Sequence, residues 1–184
     1  MGIKKRESFT LIEMIIVVGV LGFALPVLFA IMFIVIQQQT RIYALQEVKR
    51  QGDIAIFSIK SSIRQYGKLV ANLSPYPNVT EICPPYPTPT LTPAPYIMVY
   101  DSSMADFSYK LINNKIASES SRNAISNNFL TDESVVVSNL QFSCYRTNQF
   151  SPPIVWTSFT VTKSGTDPNL PSMQYNSRFK LRSY

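Results

Sequence analysis

The chain has 184 residues and a formal net charge of +6, with 46% hydrophobic residues, 13 prolines, two cysteines and no histidine. Without an imidazole there is no histidine base, no histidine–metal ligand and no serine–histidine pair, and no glycine-rich phosphate loop occurs. We therefore expect no enzyme, no cofactor and no metal. The length allows one modest globular core besides a membrane anchor.

The first predicted element is a long apolar helix that follows a basic leader. Residues 14–36 are 23 residues without a charge, which as a helix would be roughly 35 Å long. That length exceeds the ~30 Å hydrocarbon core of a bilayer, so we expect a membrane span with lipid around it. Lys4, Lys5 and Arg6 precede the run, so its start should stay cytoplasmic and the rest of the chain extracytoplasmic.

Glu13 is the unusual residue of this segment, because it places a carboxylate at the N-terminal end of a helix that is otherwise apolar enough to span a membrane. An ionisable residue in a membrane span is costly and is a functional hypothesis by default. A plain signal anchor explains the topology but not Glu13. The alternative is that Glu13 lies at headgroup level and needs no partner.

The segment KKRESFTLIEMIIVVGVLG (residues 4–22) resembles the class III signal of type IV prepilins and pseudopilins. The resemblance implies that prepilin peptidase removes residues 1–8 by cutting between Ser8 and Phe9. Phe9 would become the N-methylated mature terminus, and Glu13 would act in assembly as the acidic fifth mature residue. The chain departs from the family at Ser8, where glycine is usual, so processing is expected but slower. The mature chain would carry a net charge of +4.

A chemical argument supports the assembly role of Glu13. Cleavage would create an α-amine at Phe9, with a reference pKa of about 8, which is mostly protonated at neutral pH. Glu13 lies one helical turn away, so its carboxylate can pair with that amine or with the amine of a neighbouring subunit. Such pairing is the condition under which a buried charge is tolerated. Other pilin or pseudopilin subunits and the inner-membrane assembly platform are the partners that the resemblance implies.

Gly19, Gly22 and Pro26 indicate a flexible stretch inside the span. Pro26 cannot donate a hydrogen bond to the carbonyl of Gly22, so a kink or loosening is expected there. The two glycines add backbone freedom. A segment that unwinds locally would suit a subunit drawn from a bilayer into a filament, and a simple kinked anchor is equally consistent.

The helix is predicted to continue beyond the membrane. After the transmembrane section over residues 9–36, apolar side chains recur in steps of three or four with one gap of eight, and Gly52 interrupts the pattern without abolishing it. This amphipathic stripe predicts a core-facing helical section over residues 37–70. Its apolar members are Ile42, Leu45, Val48, Ile56, Ile59, Ile63, Tyr66 and Val70.

A proline-rich loop is predicted next, over residues 71–95. It holds eight of the 13 prolines, a density that neither a helix nor a central strand tolerates. A variable surface loop is favoured over a proline-rich docking ligand. Cys83 lies in this loop and Cys144 in a later strand, both in a compartment that allows a disulfide. Closing it would stabilise the fold by about 4 kcal/mol, and two unpaired thiols are the alternative.

Residues 96–184 are predicted to form a β-sheet head with five or six mostly antiparallel strands. A turn is expected at Asn113 and Asn114, and loops over residues 118–128 and 165–171. The strand runs are YIMVY (96–100), FSYKL (107–111), SVVVSNLQFSCYR (134–146), IVWTSFTVT (154–162) and the alternating segment 173–184. We therefore predict an α+β fold in which the long N-terminal helix covers one face of the sheet, as in pilins.

The second half also resembles, more loosely, minor pseudopilins of the J or W type, through VVVSNLQFSCY, IVWTSFTV and the closing FKLRSY. The resemblance implies a minor subunit of a type IV pilus or type II secretion pseudopilus, acting in initiation or at the tip. It also implies a single pass through the inner membrane before assembly.

Two other functions stay open. In one, the same scaffold presents its head to DNA, a surface or a secreted substrate. In the other, a membrane-anchored periplasmic domain never assembles. The scattered positive charge permits contact with DNA or anionic lipid but argues for neither.

Overall fold

The structure is a computed structural model, and it describes residues 10–71, 83, 93–120, 128–148, 150–166 and 170–181. The predicted leader, with Ser8 and Phe9, and most of the predicted proline-rich loop lie outside the described residues. Within them the chain forms one α-helix and eight β-strands, in the order α1 (Leu11–Tyr66), β1 (Leu69–Ala71), β2 (Tyr96–Tyr100), β3 (Asp106–Ile112), β4 (Lys115–Ser120), β5 (Asn128–Phe129), β6 (Val135–Tyr145), β7 (Ile154–Lys163) and β8 (Ser172–Lys180).

The chain divides into two compact units, Met1–Tyr43 and Ala44–Tyr184. In the first unit, the helix is continuous and the side chains of residues 11–36 are all exposed. Within the described residues, α1 is the one helix long and apolar enough to cross a membrane, with a mean hydropathy of 2.8 over its most apolar 18 residues. By length and composition it is therefore a candidate membrane span.

The helix ends at Tyr66, and the expectation that it reaches Val70 is wrong. The amide of Gly67 donates to the carbonyl of Ile63 at 3.0 Å and closes the last turn. A Cβ at Gly67 would lie 2.5 Å from that carbonyl oxygen and 2.9 Å from Val99, so the chain leaves the helix at a place with no room for a side chain. Residues Leu69–Ala71 pair with β2 as strand β1. Val70 is buried as predicted, but in this strand and not on the helix.

The second unit contains two antiparallel sheets rather than the single sheet that was predicted. One has five strands in the order β1-β2-β3-β4-β5, and the other has three in the order β6-β7-β8. The predicted loop at 118–128 is wrong for residues 118–120, which belong to β4, and for Asn128, which belongs to β5. The predicted turn is confirmed, because Asn113 and Asn114 both have positive φ angles, of 49° and 59°, and join β3 to β4.

The core of the second unit forms between the sheets and the C-terminal section of α1, which gives the α+β architecture that was predicted. Val48, Ala55, Ile59 and Ile63 are completely buried along one stripe of the helix. The gap of eight in the predicted stripe is occupied by Gln51, Gly52 and Ala55, which are buried although they are small or polar. Ile42, at the start of the predicted stripe, and Tyr66, at the end of α1, are about half exposed, at 51% each.

Candidate functional site

Glu13 lies in the first turn of α1, and its nearest described polar neighbours belong to Thr10. The amide nitrogen of Thr10 lies 3.4 Å and its hydroxyl 3.5 Å from Oε2 of Glu13. These are long hydrogen bonds with the geometry of a capping box, in which an acid three residues into the helix accepts from the amide of the cap residue. The spacing Thr-x-x-Glu is visible in the sequence, so this contact was predictable and was missed.

The other predicted site residues of the span follow along the same helix. Pro26 is inside α1, which continues through it without interruption. An added Cβ at Gly19 or Gly22 would meet nothing within 4 Å, so the described chain itself does not require glycine at either position. From Glu13 to Pro26 the helix rises about 20 Å, so these residues are strung along the helix and do not converge on one site.

The apolar surface of the first unit is extensive. Residues 14–36 carry no charge, and the large side chains along them are 45–83% exposed. This section of α1 therefore presents an apolar surface on every side, and Glu13 is the one carboxylate among residues 11–36. A helix that is apolar all round is normally covered by lipid or by protein.

In the second unit, a polar cluster ties α1 to the turn before β6. The side-chain amide of Gln51 donates to Glu47 at 3.0 Å and to Asp132 at 2.5 Å. The hydroxyl of Ser134 lies within hydrogen-bonding distance of both carboxylates, and its single proton serves one of them at a time. Arg50 completes this Glu47–Asp132 cluster by pairing with Glu47 at 2.8 Å.

The electrostatics of the Glu47–Asp132 cluster favour the ionised carboxylates. Hydrogen bonds from Arg50 and then Gln51 lower the pKa of Glu47 from 4.5 to about 2. The hydrogen bond from the Ser134 side chain lowers the pKa of Asp132. The hydrogen bond with Glu47 in turn raises the pKa of Arg50. The cluster therefore connects α1 to the turn before β6 through charged and polar contacts. The sequence did not reveal it, because Gln51 and Asp132 lie 81 positions apart.

Tyr175 on β8 lies directly against α1. Its hydroxyl donates to the backbone carbonyl of Lys49 at 3.0 Å, and its ring stacks on Phe159 with centroids 5.2 Å apart. A Cβ on Gly52 would lie 2.2 Å from this ring, so only glycine allows the approach. Burial raises the pKa of Tyr175 to about 12.

Cys83 and Cys144 form a disulfide, with Cα atoms 4.9 Å apart and 61 positions between them in sequence. The bond connects the predicted proline-rich loop to β6. Two residues before Cys144, Phe142 exchanges two backbone hydrogen bonds with Ala94, of 2.8 and 2.9 Å. The middle of that loop, at Cys83, and its end, at Ala94, are therefore held at the same stretch of β6.

Within the described part of the chain, no group of three or more histidine, cysteine, aspartate or glutamate side chains could hold a metal ion. Glu133 is 92% exposed and pairs with Lys115 at 3.1 Å. Comparisons with protein-family models, with curated proteins and with solved structures gave no match. The resemblance to prepilins therefore stays a prediction from the sequence.

Proposed function

We propose that this chain is a membrane-anchored assembly subunit of the pilin class, a minor pilin or pseudopilin of a type IV pilus or a type II secretion system. Prepilin peptidase would remove residues 1–8, and α1 would then join neighbouring subunits. The observation that carries the proposal is the combination, in one helix, of an exposed apolar surface over residues 14–36 and a single carboxylate at its start, Glu13.

The apolar surface supports the proposal that the subunit moves from lipid into a protein assembly. Water does not tolerate an exposed apolar surface of this extent, so lipid or other helices must cover it. In lipid, association between helices depends on close packing rather than on the hydrophobic effect, and small residues permit it. The open space around Gly19 and Gly22 is compatible with such packing, because nothing in the described chain fills it.

Glu13 supports the proposal through its choice of partners. Its contacts with Thr10 are long, at 3.4 and 3.5 Å, and they come from a neutral amide and a neutral hydroxyl. A protonated α-amine is a stronger partner, because charge-assisted hydrogen bonds are shorter and roughly twice as strong. In the proposed mechanism, the carboxylate of Glu13 accepts hydrogen bonds from Thr10 in the single subunit and pairs with the α-amine of a neighbouring subunit on assembly.

A second candidate function is a membrane-anchored domain that never assembles. The Thr10–Glu13 contacts favour it, because they give the carboxylate a structural task within one chain as the cap of the helix. The two candidates differ in whether the charge of Glu13 matters. A helix cap needs only a hydrogen-bond acceptor, whereas pairing with a protonated α-amine needs the charge.

N-terminal sequencing and intact mass of the protein from its native membrane test the proposed function. We expect a chain that begins at an N-methylated Phe9 and lacks eight residues. Ser8→Gly, which restores the residue usual before the cut, should increase the rate of leader removal in a pulse-chase experiment. A native chain that still begins at Met1 while the protein works normally would leave only the anchored domain.

A further inference from the structure

The outer face of the three-stranded sheet, formed by alternate residues of β6, β7 and β8, carries the chain's single tryptophan, Trp156. The opposite face is buried in the core, where Val155 and Phe159 are at most 1% exposed. Residues directly opposite each other on antiparallel strands share a face, so the register places Trp156 between Ser143 of β6 and Arg178 of β8. Trp156 is partly exposed. The sheet therefore presents this indole ring to its surroundings and not to the core.

Neutral hydrogen-bonding side chains occupy most of the rest of the outer face. Gln141, Ser158 and Asn176 form the row beside that of Trp156. The amides of Gln141 and Asn176 are exposed, and each of them both donates and accepts hydrogen bonds. The rows towards the start of β8 carry mainly serine, threonine and glutamine. Because β8 extends about 30 Å and neighbouring strands lie about 4.8 Å apart, the outer face suits an elongated ligand better than a small molecule.

The charge of the outer face is positive and unbalanced. Arg178 and Lys180 are exposed at one end of β8, and the sequences of β6, β7 and β8 contain no aspartate or glutamate. Within the part of the chain that the structure describes, neither cation has an ion-pair partner. In the five-stranded sheet, by contrast, Lys110 pairs with Glu119 across neighbouring strands. The outer face therefore attracts an anionic ligand.

We propose that the outer face binds an acidic polysaccharide, with a sugar ring stacked on Trp156 and a carboxylate held by Arg178. The apolar C–H side of a sugar ring packs on an aromatic surface, and its hydroxyls exchange hydrogen bonds with Gln141 and Asn176. The planar guanidinium of arginine matches a carboxylate with two parallel hydrogen bonds. The inference uses only residues of the second unit and does not depend on the role proposed for Glu13.

The distribution of charge favours a polysaccharide over a single-stranded nucleic acid. A nucleic acid carries a phosphate at every residue, and proteins bind it with cations that follow its backbone. On β8 the cations Arg178 and Lys180 lie at one end, whereas Ser172, Gln174 and Asn176 are neutral. A polysaccharide in which carboxylates alternate with neutral sugars matches this arrangement of charged and neutral side chains.

Tryptophan fluorescence of the full-length chain in phosphatidylcholine nanodiscs tests the proposal, because Trp156 is the single tryptophan. Hyaluronate oligosaccharides, in which a uronate alternates with N-acetylglucosamine, should change its emission saturably. Neutral chitin oligosaccharides should bind at least about tenfold more weakly. Arg178→Gln should weaken hyaluronate binding about tenfold, because it removes a charge-assisted pair. Arg64→Gln, which removes the same charge from an exposed position on α1, is the matched control and should bind like the unmodified chain.

A second variant changes the charge with little change of shape. Asn176→Asp is nearly isosteric and exposed, so it should keep the fold while it repels carboxylates and should weaken hyaluronate binding about three- to tenfold. Unchanged emission with hyaluronate would overturn the proposal, as would equal losses of affinity for Arg178→Gln and Arg64→Gln, which would indicate general charge attraction. Tighter binding of oligothymidylate than of hyaluronate would also overturn it and would assign the outer face to single-stranded nucleic acid.

Discussion

At the scale of single residues, the carboxylate of Glu13 combines a helix cap with a charge. Glutamine serves as well as glutamate in a capping box, because the amide oxygen accepts the same hydrogen bond. Alanine removes both cap and charge. Comparing glutamine with alanine at position 13 therefore separates the capping role from the role of the charge, which the contacts with Thr10 alone do not distinguish.

We predict that Glu13→Gln and Glu13→Ala both insert into the membrane and that both lower incorporation into sheared filaments about tenfold or more. The reason is the loss of a charge-assisted hydrogen bond, worth about 1.5–3 kcal/mol. Immunoblots of membrane and filament fractions measure the two steps. If Glu13→Gln assembles like the unmodified chain while Glu13→Ala fails, the cap matters and the charge does not.

Gly52 and Gly22 offer a second comparison at this scale, because the same substitution meets opposite surroundings. Gly52→Ala drives a methyl group into the ring of Tyr175, so it should destabilise the second unit by about 1–3 kcal/mol. Gly22→Ala enters open space and should leave that stability unchanged. Thermal unfolding monitored by near-UV circular dichroism measures both. Equal melting temperatures for the two variants would contradict the close approach of β8 to the helix.

At the scale of elements, the Glu47–Asp132 cluster predicts how acid affects the attachment of α1 to the turn before β6. The pKa of Glu47 is lowered on folding from 4.5 to about 2, so its contribution to stability is complete above about pH 4.5 and is lost as the pH falls towards 2. Asp132, whose pKa is also lowered, acts in the same direction.

We predict that Glu47→Gln costs about 1 kcal/mol of stability near pH 7 and almost nothing near pH 2, because the lost hydrogen bonds involve an ionised acceptor only at the higher pH. Urea unfolding at both pH values measures the difference. Lys110→Gln, which removes one member of an exposed ion pair with Glu119, is the control and should change stability by less. A cost for Glu47→Gln that does not depend on pH would show that the carboxylate contributes no charge interaction.

The elements also show which parts of the fold sequence patterns can predict. The apolar run of α1, the Asn113–Asn114 turn and the long strands β6, β7 and β8 follow from periodicity and turn chemistry. The end of the helix does not follow from them, because it depends on the close approach of Gly67 to the side chain of Val99 on β2. β1 and β5, with three and two residues, are too short to carry a period. Buried Gln51 was not predictable because its partner Asp132 is distant in sequence.

At the scale of the whole molecule, the two compact units depend on different forces. The first unit contains the apolar section of α1, whose side chains over residues 11–36 are exposed, and lipid supplies its surroundings in the proposed function. The second unit buries its own core and is closed by the Cys83–Cys144 disulfide. A change that unfolds the second unit should therefore leave membrane insertion intact.

The disulfide provides that test. Replacing both cysteines by serine removes the restraint on a loop of 61 positions and should lower the stability of the second unit by about 4 kcal/mol on the chain-entropy model. Protease resistance of the head should fall, while extraction by alkaline carbonate should still leave the chain in the membrane fraction. The matched control is Ser143→Ala, which changes the residue beside Cys144 without breaking the covalent bond and should keep the head resistant. Release of the disulfide-free chain from the membrane would show that insertion depends on the folded head, and the two units would then not be independent.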